Sequence, residues 1–282
     1  MRIARIGLVG ALLLGAAACQ TDDGGAVSPT IPPLAFVRYI NAVPDTNNLT
    51  VRWVDQLEFS PMTFVNVPYR GMGNGGYQGL EAGSRRFRVF TYDPALAGNV
   101  GGATTAQMAD TSFAFVAGQY YTILHVGFAR AGQLPAQTVL ILNDALPAVN
   151  TSVSIRAIHA AQGVGAVDVF STAAANTTLV GAVPAFTNLA RNGTSAYATL
   201  PVAQFSAQIA LTGTTVSLAG AAAPAGVAGT TAADPIAGAT VGGSVLTAIA
   251  FGPSVAGSPA AASATPSIVW FSDRQPPRTT TP

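Results

Sequence analysis

The feature that most constrains this chain is a long internal repeat. The segment Arg38–Ala42 (Arg-Tyr-Ile-Asn-Ala) returns as Arg156–Ala160 (Arg-Ala-Ile-His-Ala), and the match continues without a gap from Leu49–Val51 to Val167–Val169. Both matches have an offset of 118 residues (156 − 38 and 167 − 49). A period this long indicates one domain written twice rather than a short solenoid repeat.

Equivalent residues can be followed to the end of each copy, with small changes of offset inside Gly-, Ala- and Thr-rich stretches where loops absorb insertions. The matched pairs include Asn66 with Asn188, Tyr77 with Tyr197, Thr122 with Thr247, Asp144 with Asp273, and Pro147 with Pro276. The first copy therefore spans residues 35–147 and the second 152–277, each close to the usual size of a domain. We interpret the repeated residues as folding residues, and we expect the two carboxylates three positions before a proline to serve turns.

Short strand signals recur about seven times in each copy. In the first copy they lie roughly at 36–41, 49–55, 62–67, 76–80, 85–92, 119–128 and 137–143. Apolar and polar residues alternate along these runs, and Gly, Pro, Asn and Asp separate them. The pattern predicts an all-β chain of two tandem immunoglobulin-like antiparallel β-sandwich domains. The Ala-rich run 219–239 is repeatedly interrupted by Gly and Pro, which predicts a long irregular loop.

The N-terminus carries the pattern of a secretory signal. Arg2 and Arg5 precede an apolar stretch that ends in Ala16-Ala17-Ala18-Cys19. Small residues directly before a cysteine resemble the lipobox of bacterial lipoproteins, in which the signal peptide is cut before the cysteine and that residue is acylated. We therefore predict a signal peptide over 1–18, a lipid anchor at Cys19, a flexible Gly/Pro-rich tether over 19–34 and a disordered tail over 278–282. An ordinary signal peptide with an incidental cysteine is the alternative.

The anchor predicts a location in the cell envelope, with the membrane as a partner. Gln20 follows the cysteine where an aspartate would indicate retention in the inner membrane of a Gram-negative cell, so we expect the outer membrane. Charged residues make up only 9% of the chain and lysine is absent. Such a composition offers no basic patch to follow a phosphate backbone, which argues against nucleic-acid binding.

The run Gly71–Gly76 formally reads G-x-G-x-x-G, but it leads into a strand rather than the helix that a dinucleotide site needs, so we interpret it as a flexible hairpin loop. The sequence has no His or Cys cluster with metal spacing and no G-x-S-x-G elbow. The two histidines, His125 and His159, belong to different copies, and their strand positions favour structural roles. Sequence order cannot exclude a Ser-His-Asp site, because triads assemble in space. The low charge and the scattered aromatic residues are compatible with a face that binds a carbohydrate or a peptide. The residues that could form this face are Trp53, Tyr69, Tyr77, His159 and Asp168.

The repeated element resembles the opening of a bacterial envelope family, the domain of unknown function 4397. The family begins with a strand, a His-Ala-Ser-Pro-Asp turn and a Val-Asp-Val strand. The second copy keeps His159-Ala160 and Val167–Val169, whereas the first keeps Pro44-Asp45. The resemblance implies a secreted or surface-attached β-domain and brings no known activity.

Together these observations predict a non-enzymatic envelope lipoprotein with a structural or interaction role and no cofactor. The alternative is a module that binds a glycan or an envelope protein through exposed aromatics and loops. An enzyme is the third option, and a cleft with converging polar groups would favour it.

Overall fold

The computed structural model describes residues 32–55, 63–93, 106–175 and 177–278, and these are almost entirely strands and loops. The described residues from Pro33 onwards form one compact unit. Cys19, the predicted signal peptide, most of the tether and residues 279–282 lie outside the described residues. The last residue of the predicted tether, Leu34, begins the first strand.

The first half of the compact unit is a sandwich of two four-stranded sheets. Its described strands are β1 (Leu34–Asn41), β2 (Leu49–Trp53), β3 (Thr63–Val67), β4 (Gln78–Glu81), β5 (Gly83–Thr91), β6 (Gln107–Phe115), β7 (Tyr120–Val126) and β8 (Thr138–Asn143). One sheet has the order β4-β1-β7-β8 and the other β3-β2-β5-β6. A short 3₁₀ turn, Gly73–Gly75, connects β3 to β4.

The second half repeats this arrangement strand for strand. Its described strands are β9 (Val153–Ala160), β10 (Val167–Thr172), β11 (Phe186–Leu189), β12 (Ala198–Leu200), β13 (Ser206–Leu211), β14 (Ser217–Ala222), β15 (Val245–Phe251) and β16 (Ser267–Arg274). The sheet orders are β12-β9-β15-β16 and β11-β10-β13-β14. All pairs are antiparallel except β1 with β7 and β9 with β15. The predicted all-β sandwich fold is therefore confirmed.

Two strand predictions were wrong in detail. Strand β6 was not predicted, because it is a largely exposed edge strand whose sequence, Gln-Met-Ala-Asp-Thr-Ser-Phe-Ala-Phe, lacks a run of β-branched residues. The start of the run 219–239, predicted to be irregular, belongs to β14. Ala and Gly have a low preference for strands, and the backbone hydrogen bonds to β13 stabilise the strand here.

The two sandwiches pack through the faces of their β1 and β9 sheets. On β1, Val37 and Tyr39 point into the first core while Ile40 points to the other sandwich; on β9, Ile158 does the same. A buried apolar cluster fills this junction, and it contains Ile40, Ala42, Tyr69, Leu124, Val126, Ile158, Ala160, Ile249, Phe251 and Phe271. Burial on both faces explains why β1, β7, β9 and β15 are nearly continuous apolar runs.

The cores of the two sandwiches differ in the size of their side chains. Tyr39 of β1 lies opposite Ile123 of β7, whereas at the equivalent place Ala157 of β9 lies opposite Ala248 of β15. All four side chains are buried. The second sandwich therefore buries less apolar surface at its centre than the first.

Candidate functional site

The polar residues repeated in both copies meet where the sandwiches touch. In the first sandwich, Arg38 Nε donates to Thr122 Oγ1 at 2.8 Å. The Thr122 hydroxyl then donates to Asp144 Oδ2 at 2.5 Å, and Tyr77 Oη donates to the same oxygen at 2.6 Å. One carboxylate oxygen thus accepts two hydroxyl donors inside the protein.

The second sandwich contains the same constellation. Arg156 Nε donates to Thr247 Oγ1 at 2.8 Å. Thr247 Oγ1 donates to Asp273 Oδ2, and Tyr197 Oη donates to this oxygen at 2.5 Å. Because β1 and β7 correspond to β9 and β15, the repeated sequence places these four groups identically in each half.

The other oxygen of each carboxylate contacts an arginine of the opposite sandwich. Arg38 Nη1 lies 2.7 Å from Asp273 Oδ1, and Arg156 Nη2 lies 2.7 Å from Asp144 Oδ1. These four side chains are between 0% and 3% exposed, so water does not screen the two ion pairs. Two positive and two negative charges therefore compensate one another within the buried junction, and each pair joins one half of the chain to the other.

Two tyrosine rings complete this junction lock, the group of eight side chains formed by the two constellations. The guanidinium of Arg38 lies 4.6 Å from the ring centre of Tyr77, and that of Arg156 lies 4.9 Å from the ring centre of Tyr197. At these distances the ring faces attract the cations, which adds to the two ion pairs.

The protonation states of the junction lock suit a structural role. Burial by itself would lower the pKa of Arg38, but the charges of Asp273, Tyr77 and Asp144 raise it, and the net shift is upward. Burial is the main cause that raises the pKa of Tyr77 and of Tyr197 above the usual value. The arginines therefore stay charged and the phenols stay neutral at physiological pH. These groups donate hydrogen bonds, but they do not transfer a proton.

The sequence signal for the junction lock was only partly understood. Asp144 and Asp273 were predicted to serve turns, and this was wrong for their side chains, which bind Arg, Tyr and Thr in the junction. The usable signal was a charged residue, Arg38 or Arg156, in the middle of an apolar strand of each copy. An isolated buried guanidinium requires a carboxylate partner.

The aromatic residues predicted to face a ligand have packing roles. Trp53 is 3% exposed, and its ring packs edge-on against Phe87 and Phe115 in the first core. Tyr69 is 7% exposed, and its hydroxyl donates to Gly252 O of the second sandwich at 2.8 Å. Tyr77 is half-buried in the junction lock. These rings do not share an exposed face, so they form no aromatic platform.

His159 and Asp168, the other predicted ligand-facing residues, hold loops of the second sandwich. His159 Nε2 lies 2.8 Å from Gly165 O, and its Nδ1 accepts the backbone N–H of Ala161 at 3.3 Å. Asn41, the equivalent residue in the first copy, accepts the N–H of Val43 in the same way at 3.0 Å. This shared local hydrogen bond explains why Asn and His exchange at this position.

Asp168 is 6% exposed and accepts two backbone N–H groups. Its Oδ1 binds the N–H of Asn188 at 2.7 Å, and its Oδ2 binds the N–H of Gly213 at 2.9 Å. In the first copy Thr50 accepts the N–H of Asn66 at 3.3 Å. The carboxylate therefore fixes a strand bulge and a turn, and it does not point to a ligand.

His125 is fully buried in the first sandwich. Tyr39 Oη lies 2.9 Å from its Nδ1, and Gln137 Oε1 lies 2.9 Å from its Nε2. The amide of Gln137 donates its own N–H to Met108 O at 3.1 Å, so its oxygen faces the histidine and Nε2 carries the proton. Burial lowers the pKa of His125 to about 4.

Two searches of the described residues complete this survey. In that part of the chain, no group of three or more His, Cys, Asp or Glu side chains is arranged to hold a metal ion. None of its helical segments is long and apolar enough to cross a membrane. Cys19, the predicted lipidation site, lies outside the described residues.

The sequence of residues 35–170 matches a family model described as Domain of unknown function (DUF4397). The DUF4397 family is therefore shown for this segment, which makes up 136 of the 282 residues. The match covers the first sandwich and extends into β10 of the second. The resemblance to DUF4397 is therefore confirmed, while the assignment of the whole second sandwich to DUF4397 stays a prediction. No curated protein sequence matches the chain.

Among the solved structures that align with this chain, three illustrate how low the similarity is. The Bacillus anthracis TIE protein has 10% identity and a TM-score of 0.21; the alignment covers 64% of this chain and 28% of that protein, so the chain spans about a quarter of its length. A "Putative cell adhesion protein" from Parabacteroides distasonis has 10% identity and a TM-score of 0.24, with 86% of this chain and 100% of that chain covered. A protein of the same description from Bacteroides eggerthii has 10% identity and a TM-score of 0.19, with 87% and 98% covered. Similarity this low supports no argument about fold or function.

Proposed function

We propose that this protein is a non-enzymatic lipoprotein of the cell envelope, in which a lipid-anchored tether carries a rigid double sandwich with a structural or interaction role. The observation that supports the proposal is the junction lock. It engages the repeated Arg, Thr, Tyr and Asp side chains with one another and joins the two sandwiches. A repeat whose polar residues bind each other is suited to holding a shape, and the chemistry of a reaction would need some of those groups to face a substrate.

The lipobox supports the envelope location. The residues Ala16-Ala17-Ala18-Cys19 have the order that lipoprotein processing requires, and Cys19 is the only cysteine of the chain. Several acyl chains on one cysteine hold a protein on a membrane durably, whereas a single chain binds only marginally. The anchor would keep the sandwiches at the surface of the outer membrane, which is the expected location because Gln20 follows the cysteine.

Metabolic labelling with radioactive palmitate tests the anchor. The wild type should incorporate label, Cys19→Ala should not, and Gln20→Ala should incorporate it as the wild type does. Separation of inner and outer membranes should place the labelled protein in the outer membrane. Equal labelling of the wild type and Cys19→Ala would refute the anchor.

A deletion strain tests the envelope role. Loss of the protein should make the cells more sensitive to detergent, and the wild-type gene should restore resistance. The Cys19→Ala gene should fail to restore it, because the same double sandwich would be produced without its attachment. Full rescue by Cys19→Ala would show that the role does not depend on anchoring.

A further inference from the structure

An open cleft lies where the first sandwich meets the β15–β16 loop of the second. Its walls are Asn47, Asn48, Asn66, Tyr92 and Pro259, and it holds about 560 Å³ of empty space, part of it open to solvent. Of this space, about 310 Å³ is accessible to the centre of a water molecule, which is at the lower end of the range of roughly 300–1,000 Å³ that ligand pockets have. None of the five residues carries a charge.

Hydrogen bonds hold the polar wall of the cleft in place. The N–H of Tyr92 donates to Asn48 O at 2.7 Å, which ties the end of β5 to the start of β2. Asn48 Nδ2 donates to Asn66 Oδ1 at 2.8 Å. The backbone of Asn66 has a φ of 57°, and its N–H donates to Thr50 Oγ1. The amides are therefore positioned before any ligand arrives, which reduces the entropy lost on binding.

The opposite wall is attached to the first sandwich as well. The loop that carries Pro259 donates the N–H of Val255 to Pro44 O at 3.0 Å. From the other side, Arg130 Nη2 donates to Gly257 O of this loop at 3.1 Å. Both walls thus keep a defined distance from each other.

The second sandwich has the same backbone at this place, with Ala166 and Thr212 where the first has Asn48 and Tyr92. The N–H of Thr212 donates to Ala166 O at 3.0 Å, which is the counterpart of the Tyr92–Asn48 bond. Gly165 stands where the first copy has Asn47. The fold therefore does not require the side chains of Asn47, Asn48 and Tyr92.

We propose that this cleft binds a neutral carbohydrate. Each asparagine amide offers two N–H donors and a carbonyl acceptor, which can match neighbouring hydroxyl groups of a sugar. The ring of Tyr92 gives an apolar face for the C–H groups of a sugar ring, with a hydroxyl at its edge. The absence of a charge among the five wall residues leaves a phosphate or carboxylate without a charged partner. The proposal goes beyond the envelope role and does not depend on the lipid anchor, since Asn47, Asn48, Asn66, Tyr92 and Pro259 line the cleft.

Saturation-transfer NMR on the full chain in detergent micelles tests the proposal. The probes are glucose, galactose, mannose, N-acetylglucosamine, maltose and cellobiose, with glucuronate and glucose 6-phosphate as charged counterparts. We expect at least one neutral sugar to bind. The variant Asn48→Ala/Tyr92→Ala should weaken its binding by about tenfold or more, which corresponds to about 1.4 kcal/mol.

Two further variants keep the test decisive. Thr212→Ala, at the equivalent place in the second sandwich, should bind the sugar as the wild type does. Asn47→Ala changes an exposed side chain, so it should fold normally by circular dichroism and still bind more weakly. The proposal is overturned if no neutral sugar binds, if a charged counterpart binds more tightly than its neutral sugar, or if the Asn47 and Asn48/Tyr92 variants bind as the wild type does.

Discussion

At the scale of single residues, the junction lock buries four full charges in a chain of which only 9% of the residues are charged. Moving an ion from water into the protein interior costs several kcal/mol. An oppositely charged partner offsets this cost only if its geometry is good and further hydrogen bonds are made. Asp273 meets this condition, because Arg38, Tyr197 and Thr247 all donate hydrogen bonds to it. Asp144 accepts hydrogen bonds from Tyr77 and Thr122 and forms an ion pair with Arg156 at 2.7 Å. The loss of one partner should therefore be more harmful than the loss of both.

Asp144→Ala should lower the free energy of unfolding by about 3–5 kcal/mol, because it leaves Arg156 buried with a carboxylate no closer than that of Asp273, 3.6 Å away. Arg156→Ala should cost a similar amount, and the double variant should cost less than the sum of the two. Urea unfolding of all four proteins measures the coupling. Asp110→Ala, in an exposed ion pair with Arg86, is the control and should change stability little. Additive costs would contradict a direct pair.

His125 should make stability depend on pH. Its pKa is lowered from 6.5 to about 4. Between these two pH values the imidazole is neutral in the folded protein but protonated in the unfolded chain. The stabilisation is complete above pH 6.5 and is lost as the pH falls towards 4, with a total of roughly 3 kcal/mol.

Urea unfolding between pH 4 and pH 8 measures this effect against His125→Gln. The variant should be less stable at pH 7, and the difference from the wild type should shrink as the pH falls from 6.5 to 4. The carboxylates titrate in both proteins, so their contribution cancels. A difference that stays constant with pH would show that His125 titrates normally.

At the scale of elements, each copy places an asparagine in left-handed backbone within a bulged strand. Asn66 and Asn188 have φ values of 57° and 48°, and the register of β3 and of β11 shifts beside them. Asparagine tolerates this conformation better than other residues with a side chain, and a β-branched residue tolerates it least.

Asn188→Val should lower the free energy of unfolding by about 1–2 kcal/mol, because valine opposes left-handed backbone. Asn188→Gly should leave stability nearly unchanged, since the bond from the Asn188 N–H to Asp168 remains. Thermal and urea unfolding compare the two variants, and Thr187→Val, at the exposed neighbouring position, is the control. A valine variant as stable as the glycine variant would refute the strain.

Most of the elements were predictable from the sequence because their signals are local. Strands buried on one or both faces, such as β5 and β7, show alternation or continuous apolar runs. Edge strand β6 lacks such a signal, because most of its residues are exposed or half-buried and apolar and polar residues do not alternate regularly along it. The packing of Trp53 in the first core could not be predicted for a related reason. An aromatic ring looks the same in sequence whether it fills a core or covers a surface.

At the scale of the whole molecule, the junction lock couples the two sandwiches, although their cores are unequal. In the first core Trp53 lies opposite Phe87, whereas the equivalent pair in the second is Ser171 opposite Ala207. The second sandwich should therefore be the less stable half when it stands without the junction.

Scanning calorimetry should show one unfolding transition for the wild type, because neither half can unfold without exposing the apolar junction and its charges. In Asp144→Ala/Asp273→Ala the coupling is weakened, and we expect two transitions with the Ala-rich second sandwich unfolding first. Fluorescence of Trp270 in the second half and Trp53 in the first assigns them. One transition in the double variant would show that apolar packing alone couples the halves.

The crossing of the ion pairs could not be read from the sequence. Arg38 and its partner Asp273 are 235 residues apart, and Asp144 is an equally plausible partner by chemistry. Only the packing of the β1 sheet on the β9 sheet decides which carboxylate each arginine meets. The same holds for the cleft, because Pro259 joins the asparagines only through this packing.

The crossed pairing has the reciprocity of a symmetric dimer, in which residue i of one subunit meets residue j of the other and j meets i. In a homodimer every substitution appears twice, so both subunits must accept it. Within a single chain each half can change by itself, as Asn48 and Ala166 show at equivalent positions. Asn47 and Asn48 of the cleft wall are replaced by Gly165 and Ala166 in the other half, so a ligand held in the cleft would bind with a stoichiometry of one per chain.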